Sequence, residues 1–311
     1  MEENTKGLDA GGKFEFPMIQ EQAGCGCGGD NAADADYSGS SLDQPFVSGS
    51  LSTPAGLIPK VSSCLTRQDR WGTIKARFGV GRMNYAVHPG LYALGEPDEN
   101  APVLVTANYK MSFDCLRQAL PGRNAWILVL DTKGINVWCA AGKGTFGTNE
   151  LVYRIEASGL KKVVSHRKIV LPQLGAPGVA AHQVKKFSGF KVHYGPVRAR
   201  DIPAYLDNGF TASKEMRIVT FPLADRAVLI PIELQGAAKP FALLSLALLV
   251  LAGILGRSGF QTNLLHDGLF AVVALFAAIF GGAVLTPLLL PWLPGRAFSV
   301  KGLSIGLVTA L

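Results

Sequence analysis

The sequence predicts a Rossmann-like α/β domain followed by an all-α stretch of apolar helices. Three observations carry that reading. Short apolar or β-branched runs, such as residues 102–106 and 125–131, alternate with segments of helical period about ten residues long. That is the pattern of a largely parallel sheet covered on both faces. Glycine and proline punctuate the runs, at Pro89-Gly90, Pro121-Gly122 and Asn208-Gly209. From Pro240 onward the composition turns apolar, and the only charges left are Arg257, Asp267, Arg296 and Lys301.

Residues 1–60 are rich in Gly, Ser, Asp and Ala and show little apolar periodicity, so a largely disordered tail is expected there. Within it, Cys25-Gly26-Cys27 places two thiols one residue apart on a glycine-rich segment. Such a pair can chelate a soft ion such as Hg(II) or Cu(I), or it is simply a solvated tail with idle thiols. Residues 61–235 read as the α/β domain. Strands are expected at 73–80, at 102–106, 125–131, 168–171, 190–194 and finally 226–232, with a short extended piece after the turn at Pro89-Gly90. Helices are expected from Ser112 to Leu120, over 150–157, over 178–187, and from Arg198 to Leu206.

Residues 236–311 form the apolar part. Positions 240–256 are 17 uncharged residues between Lys239 and Arg257, the short end of what spans a hydrocarbon core of about 30 Å. Positions 268–295 are 28 uncharged residues, and Pro287, Pro291 and Pro294 lead us to expect a kink or stop near Thr286. The short connector makes the two spans a hairpin. Residues 302–311 read as the start of a third, truncated helix. The expected location is the cytoplasmic membrane, multi-pass, with the α/β domain in the cytoplasm and its mild positive charge facing anionic lipid.

The formal net charge is +7, and no Lys/Arg run interleaves with aromatics, which argues against nucleic acid as a partner. Five cysteines at irregular spacing, after an opening with no apolar leader, argue against a disulfide framework. A phosphate-binding Gly-x-x-x-x-Gly-Lys-Ser/Thr loop is absent around Lys143. Gly142-Lys143-Gly144-Thr145-Phe146-Gly147 does spell Gly-x-Gly-x-x-Gly, but His166-Arg167-Lys168 stands where a dinucleotide site needs an acidic residue. The glycines Gly142 and Gly144 still permit a large planar ligand to approach the backbone.

The most specific signal is Asn136-Val137-Trp138-Cys139-Ala140-Ala141-Gly142-Lys143, which follows the run 125–131. A cysteine at the carboxyl end of a strand lies where open α/β sheets bind ligands. Lys143 and a helix starting at the octet would favour the thiolate. A buried small hydrophobe accounts for Cys139 as well on residue type alone; Trp138 reads equally as core, and Cys115, beside Phe113 and Leu116, reads as core.

The octet resembles the cap motif of the mercury-methylating corrinoid proteins, relatives of the corrinoid domain in the corrinoid iron–sulfur protein of acetyl-CoA synthesis. Val103-Leu104-Val105-Thr106-Ala107-Asn108-Tyr109 and Asp131-Thr132-Lys133-Gly134-Ile135 extend the similarity, from about Arg70 to Glu233. The resemblance implies a corrinoid with Cys139 as lower axial cobalt ligand. It further implies contacts from Thr106, from the cap residues Asn136, Val137, Trp138, Ala140, Ala141, Gly142, Lys143 and Gly144, and from later loops at Gln173, Gly175 and Gly195. It implies an enzyme transferring methyl from methyl-Co(III) to Hg(II), a methylated pterin or its methyltransferase as donor, and a small [4Fe–4S] ferredoxin as reductant. It also implies about five membrane helices, more than this chain holds. Two other readings stand beside it: a corrinoid methyl carrier for acetyl-CoA synthesis, and a non-catalytic membrane-bound corrinoid or metal-binding module.

Overall fold

The computed structural model describes residues 41–310. The Cys25/Cys27 pair and most of the expected tail lie outside the described residues. From there the chain runs β1 (Val47–Thr53), β2 (Gly56–Val61), α1 (Arg67–Arg77), β3 (Gly90–Leu94), β4 (Val103–Ala107), α2 (Lys110–Gln118) and β5 (Ala125–Leu130). It continues through α3 (Val137–Gly142), α4 (Thr148–Ala157), α5 (Leu160–Val163), β6 (Lys168–Leu171), α6 (Ala181–Ser188), β7 (Lys191–Tyr194) and α7 (Ile202–Asp207). The last helices are α8 (Leu223–Ala227), α9 (Ile230–Leu255), α10 (Phe260–Asn263), α11 (Leu269–Phe280), α12 (Thr286–Leu289) and α13 (Phe298–Ala310).

The chain divides into two compact units. One comprises the described residues up to Leu65 together with Ala86–Arg217; the other comprises Thr66–Tyr85 and everything from Ile218. The expected single domain over 61–235 is therefore interrupted: residues 66–85 and 218–235 belong with the apolar helices.

The first unit is built on a seven-stranded mixed sheet in the order β1-β2-β3-β5-β4-β6-β7. β4 pairs in parallel with β5 and β6, β6 with β7, and β2 with β3; the β1–β2 and β3–β5 pairs are antiparallel. The sheet is thus less uniformly parallel than expected. β5 shows why it sits centrally: every residue is buried. Trp126, Leu128 and Leu130 join one apolar layer with α4 and α6, while Ala125, Ile127 and Val129 join the other with Phe113 and Leu116 of α2. Alternating side chains of one strand feed two cores, so helices are needed on both faces.

Four local expectations are corrected. Residues 73–80 are not a strand. Thr66 caps α1, its hydroxyl accepting from Asp69 N at 3.1 Å while Asp69 Oδ2 accepts from Thr66 N at 2.9 Å. That reciprocal box fixes a helix start and overrides the weak alternation. Residues 47–61 form a hairpin rather than tail, with Thr53 paired to Gly56 across a two-residue turn; Gly56 adopts φ +108°. Residues 226–232 are helical, not the last strand, because they lead directly into α9. The helix expected from Ser112 begins at Lys110.

In the second unit, Leu223–Leu255 and Phe260–Leu289 are both long and apolar enough to cross a membrane, by length and composition. The second runs past Thr286 to Leu289 rather than stopping at the proline. Its end is closed by cations: Arg226 Nη1 donates to Leu288 O at 2.8 Å and Pro287 O at 3.4 Å, and Lys301 Nζ donates to Leu290 O at 2.7 Å. Terminal carbonyls have no partner within their own helix, so these side chains satisfy them.

Candidate functional site

The parallel strands β4, β5, β6 and β7 end on one edge of the sheet. The chain steps from β4 to β5 on one side, then returns to place β6 on the other side of β4, so the winding direction reverses between β4 and β6. Loops at the carboxyl ends beside such a reversal form the usual ligand crevice of open α/β sheets.

Asn108, just past β4, organises that edge. It is fully buried. Its Oδ1 accepts from Thr132 N at 3.1 Å and Gly134 N at 3.0 Å, and the Thr132 hydroxyl lies 2.8 Å away. Its Nδ2 donates to Asp131 Oδ1 at 3.3 Å. Lys133 and Gly134 adopt φ of +56° and +69°, a left-handed pair that turns the loop back on itself. Replacing Asn108 by alanine orphans buried backbone donors, so we expect a loss of about 2–3 kcal/mol, measurable by urea unfolding.

Asp131 N donates to Glu150 Oε1 at 2.8 Å, and Arg154 pairs with the same carboxylate at 2.7 Å. Burial pushes the Glu150 carboxyl above the usual range, only partly opposed by Arg154. The folded chain therefore holds this proton more tightly than the unfolded one. Its stabilising contribution is full below the ordinary value of 4.5 and is lost as pH rises through the elevated one. Glu150→Gln is expected to flatten that limb of a melting-temperature-against-pH curve.

The loop hands the chain to α3, the helix of the octet. Asn136 is its N-cap, with Oδ1 accepting from Cys139 N at 3.0 Å. Ala140 and Ala141 are buried in the core beneath, while Trp138, Cys139, Gly142 and Lys143 are exposed. Trp138, at 68% exposure, is not core. Cys139 is not a buried hydrophobe, and neither is Cys115; both are exposed. Val137 is half-buried against the core. Gly144 ends the helix at φ +79°.

α3 is seated on the loop after β6, and glycines make the seat. A Cβ on Gly178 would overlap Phe146 O and lie 3.1 Å from Ala141 Cα; one on Gly175 would strike the Phe146 ring. Phe146 itself is completely buried. The Gly-x-Gly-x-x-Gly spelling does not stand at a strand-to-helix turn: α3 intervenes between β5 and Gly144 and Gly147. Gly178→Ala is expected to unseat α3 and lower stability by roughly 1–3 kcal/mol, read as a lower melting temperature together with faster thiol labelling in the cap.

The other expected site residues scatter. Thr106 is buried and, by alternation with Leu104, faces the layer opposite Ala140 and Ala141. Gly175 is buried under Phe146. Gln173 and Gly195 do meet: Arg217 donates to Gln173 Oε1 and to Gly195 O, tying the loops after β6 and β7 together. Sequence reading missed Asn108 as an organiser, and Phe146, Gly178 and Arg217 altogether. None has a local period that reveals it; Asn108 only lay within a matching block.

The chemistry this edge offers is a single soft donor. Among the described residues no group of three or more His, Cys, Asp or Glu could hold a metal ion. A bare ion would need such a group. A metal already held by its own planar ring needs one axial atom and an open surface beside it. Cys139 Sγ on α3 would offer such a donor, three residues from Gly142, where a Cβ would meet nothing within 4 Å. The residues fit a metal macrocycle better than a free cation. A cavity of about 490 Å³ lies at the other end of the strands, lined by Pro102, Ala125, Lys168 and Phe210.

Residues 78–206 match the family model of the CO dehydrogenase/acetyl-CoA synthase delta subunit. That stretch holds the octet, Asn108, Gly178 and Gly195. Curated relatives point the same way. The gamma subunit of the acetyl-CoA decarbonylase/synthase complex from Methanopyrus kandleri is 33% identical over 123 residues, covering 39% of this chain and 26% of that one. Its counterpart from Methanocaldococcus jannaschii is 39% identical over 97 residues, covering 30% and 20%. That from Archaeoglobus fulgidus is 30% identical over 143 residues, covering 44% and 30%. The chain thus spans a fifth to under a third of the length of these relatives.

These matches correct the expected kinship. Similarity runs to components of acetyl-CoA decarbonylase/synthase complexes, not to a mercury-methylating family. The reading of the chain as a methyltransferase enzyme with Hg(II) as acceptor falls with it. The octet describes how a cap is built, and a cap does not specify what receives the methyl group.

Proposed function

We propose that the first unit holds a corrinoid and carries a methyl group for chemistry of the acetyl-CoA type, as one component working with partner proteins. The observation that carries this is Cys139, an exposed thiol on a capped helix at the carboxyl edge of the sheet, three residues from Gly142, where a Cβ would meet nothing within 4 Å. A bound corrinoid supplies a cobalt centre able to accept and release a methyl group. The chain's own residues do the rest. Cys139 Sγ would offer the cobalt an electron pair, and Asn136 holds the backbone of that turn in place. Ala140 and Ala141 anchor α3 in the core, and Gly142 keeps the approach open. Such a carrier exchanges methyl groups with a donor protein, a pterin-linked one being chemically suited, and with an acceptor subunit. A low-potential iron–sulfur protein suits the reductant's role. Similarity to subunits of a multi-component complex supports that division of labour.

The experiment is anaerobic purification of the full chain with corrinoid supplied, followed by cobalt analysis and visible absorption. We expect about one cobalt per chain and a corrinoid spectrum. A colourless, cobalt-free protein would sink the proposal.

We further propose that the two apolar helices anchor the chain in the cytoplasmic membrane. The hairpin brings Arg226, Arg296 and Lys301 to one end and leaves Arg257 and Asp267 at the other. That cationic bias supports an orientation with the first end facing the cytoplasm. Retention in membranes after alkaline carbonate extraction is the expected result; release would refute it.

A further inference from the structure

We propose that α1 lies flat in the headgroup layer of an anionic bilayer, a second membrane contact besides the apolar helices. The inference rests on the reading that those helices cross a bilayer, and the second unit alone carries the argument.

α1 is built inside out for a water-soluble helix. Its inward face is Asp69, Gly72, Thr73 and Ala76, with Ala76 completely buried. The Tyr85 ring covers Gly72, where a Cβ would lie 2.7 Å from it, and the Tyr85 hydroxyl donates to Asp69 O at 3.0 Å. The opposite face carries Trp71, Ile74 and Phe78 at the three-and-four spacing of a helical stripe. They are 58%, 44% and 51% exposed. Val80 and Met83 extend the apolar surface beyond the helix end, both exposed. At 100° per residue, Arg70 and Arg77 fall on one flank of the stripe and Lys75 on the other, with Arg67 in line with it. The only acid in the segment, Asp69, is buried in the capping box.

An apolar stripe turned away from the protein and bordered by cations on both sides is the arrangement of interfacial helices. Tryptophan favours the headgroup level, and arginine and lysine there attract anionic lipid. Lys75 Nζ already sits 5.8 Å from the centre of the Trp71 ring. Position commits the occupant to lipid. Gly79, just past α1, abuts Ile232 and Gln235 at the foot of α9, a Cβ there lying 3.0 Å from each. The helix that carries the stripe therefore ends against the segment that enters the first long apolar helix. Charge complementarity and continuity with the anchor both point to the same bilayer.

The test uses the full chain in nanodiscs with brominated acyl chains, made of phosphatidylcholine alone or with phosphatidylglycerol. Tryptophan fluorescence is compared between wild type and Trp71→Phe, so the difference isolates Trp71. We expect the Trp71 component to be quenched, more strongly with phosphatidylglycerol, and Arg70→Gln/Lys75→Gln/Arg77→Gln to lose that lipid dependence. A Trp71 component that is unquenched, or equally quenched in both lipids, overturns the proposal while leaving the anchor standing. Burial of the stripe by a second copy or another protein gives the unquenched result. A chain that does not enter the discs at all overturns the anchor as well.

Discussion

Cys139→Ala is expected to fold as the wild type does and to lose its hold on cobalt. The thiol is exposed and its removal opens no cavity, so unfolding stability should move by no more than about 0.5 kcal/mol. Asn136 still caps α3, because its partner is the backbone N–H of residue 139, which alanine keeps. Retention of corrinoid through gel filtration should fall at least ~10-fold, the equivalent of roughly 1.4 kcal/mol or more in binding, and the absorption bands of a sulfur-ligated cobalt should vanish. Cys139→Ser separates volume from donor softness. It restores size and polarity but offers a hard oxygen, so it should behave as alanine does. Full retention with an unchanged spectrum in both variants would remove Cys139 from the cofactor.

Asp114→Ala is expected to be among the most damaging single changes to the fold. Asp114 is buried on α2 between two buried cations: both its oxygens lie 2.6 Å from Lys110 Nζ, and Oδ1 lies 2.8 Å from Arg117 Nε. Arg117 reaches on to Ser62 O at 2.7 Å and Cys64 O at 3.2 Å, fastening α2 to the exit of β2. Lys110 Nζ lies 4.5 Å from the centre of the Phe46 ring. Removing the carboxylate leaves two positive charges beside each other with little water to screen them. Breaking a buried pair this way costs about 3–5 kcal/mol, against a total stability of about 5–15 kcal/mol for an ordinary domain. The check is a denaturant titration; a midpoint shift worth less than about 1 kcal/mol would contradict the buried-charge account.

The strands of the parallel half were legible because each is a short apolar run closed by Pro, Gly or a charge. Residues 168–171 emerged without change as β6, and 125–131 within a residue of β5. What misled was weak alternation read without its caps: 73–80 looked extended only while Thr66 and Asp69 went unpaired. The hairpin at 47–61 hid inside a composition typical of tails. The cap helix was visible as a motif, since eight consecutive residues carry it. The parts that hold it were not. Asn108 reaches Gly134 across 26 residues and Gly178 makes room for Phe146 across more than thirty, and no local pattern encodes such pairs. Nor can a cap name a substrate, which is why the acceptor inferred from the octet did not survive comparison with the acetyl-CoA decarbonylase/synthase subunits.

The cations closing the second apolar helix have a consequence for where that helix can stop. Prolines at 287 and 291 strip donors from its last turns, and in water the solvent would make good the deficit. Arg226 and Lys301 replace solvent there with long side chains of this same chain. In the proposed membrane-spanning hairpin, the terminus would then finish below the level at which hydration begins, with its ionic heads reaching upward. How deep the hairpin sits is then governed by the reach of two flexible stems, and not by counting greasy residues. Trimming Arg226 to a shorter residue should draw the whole leg toward the aqueous boundary.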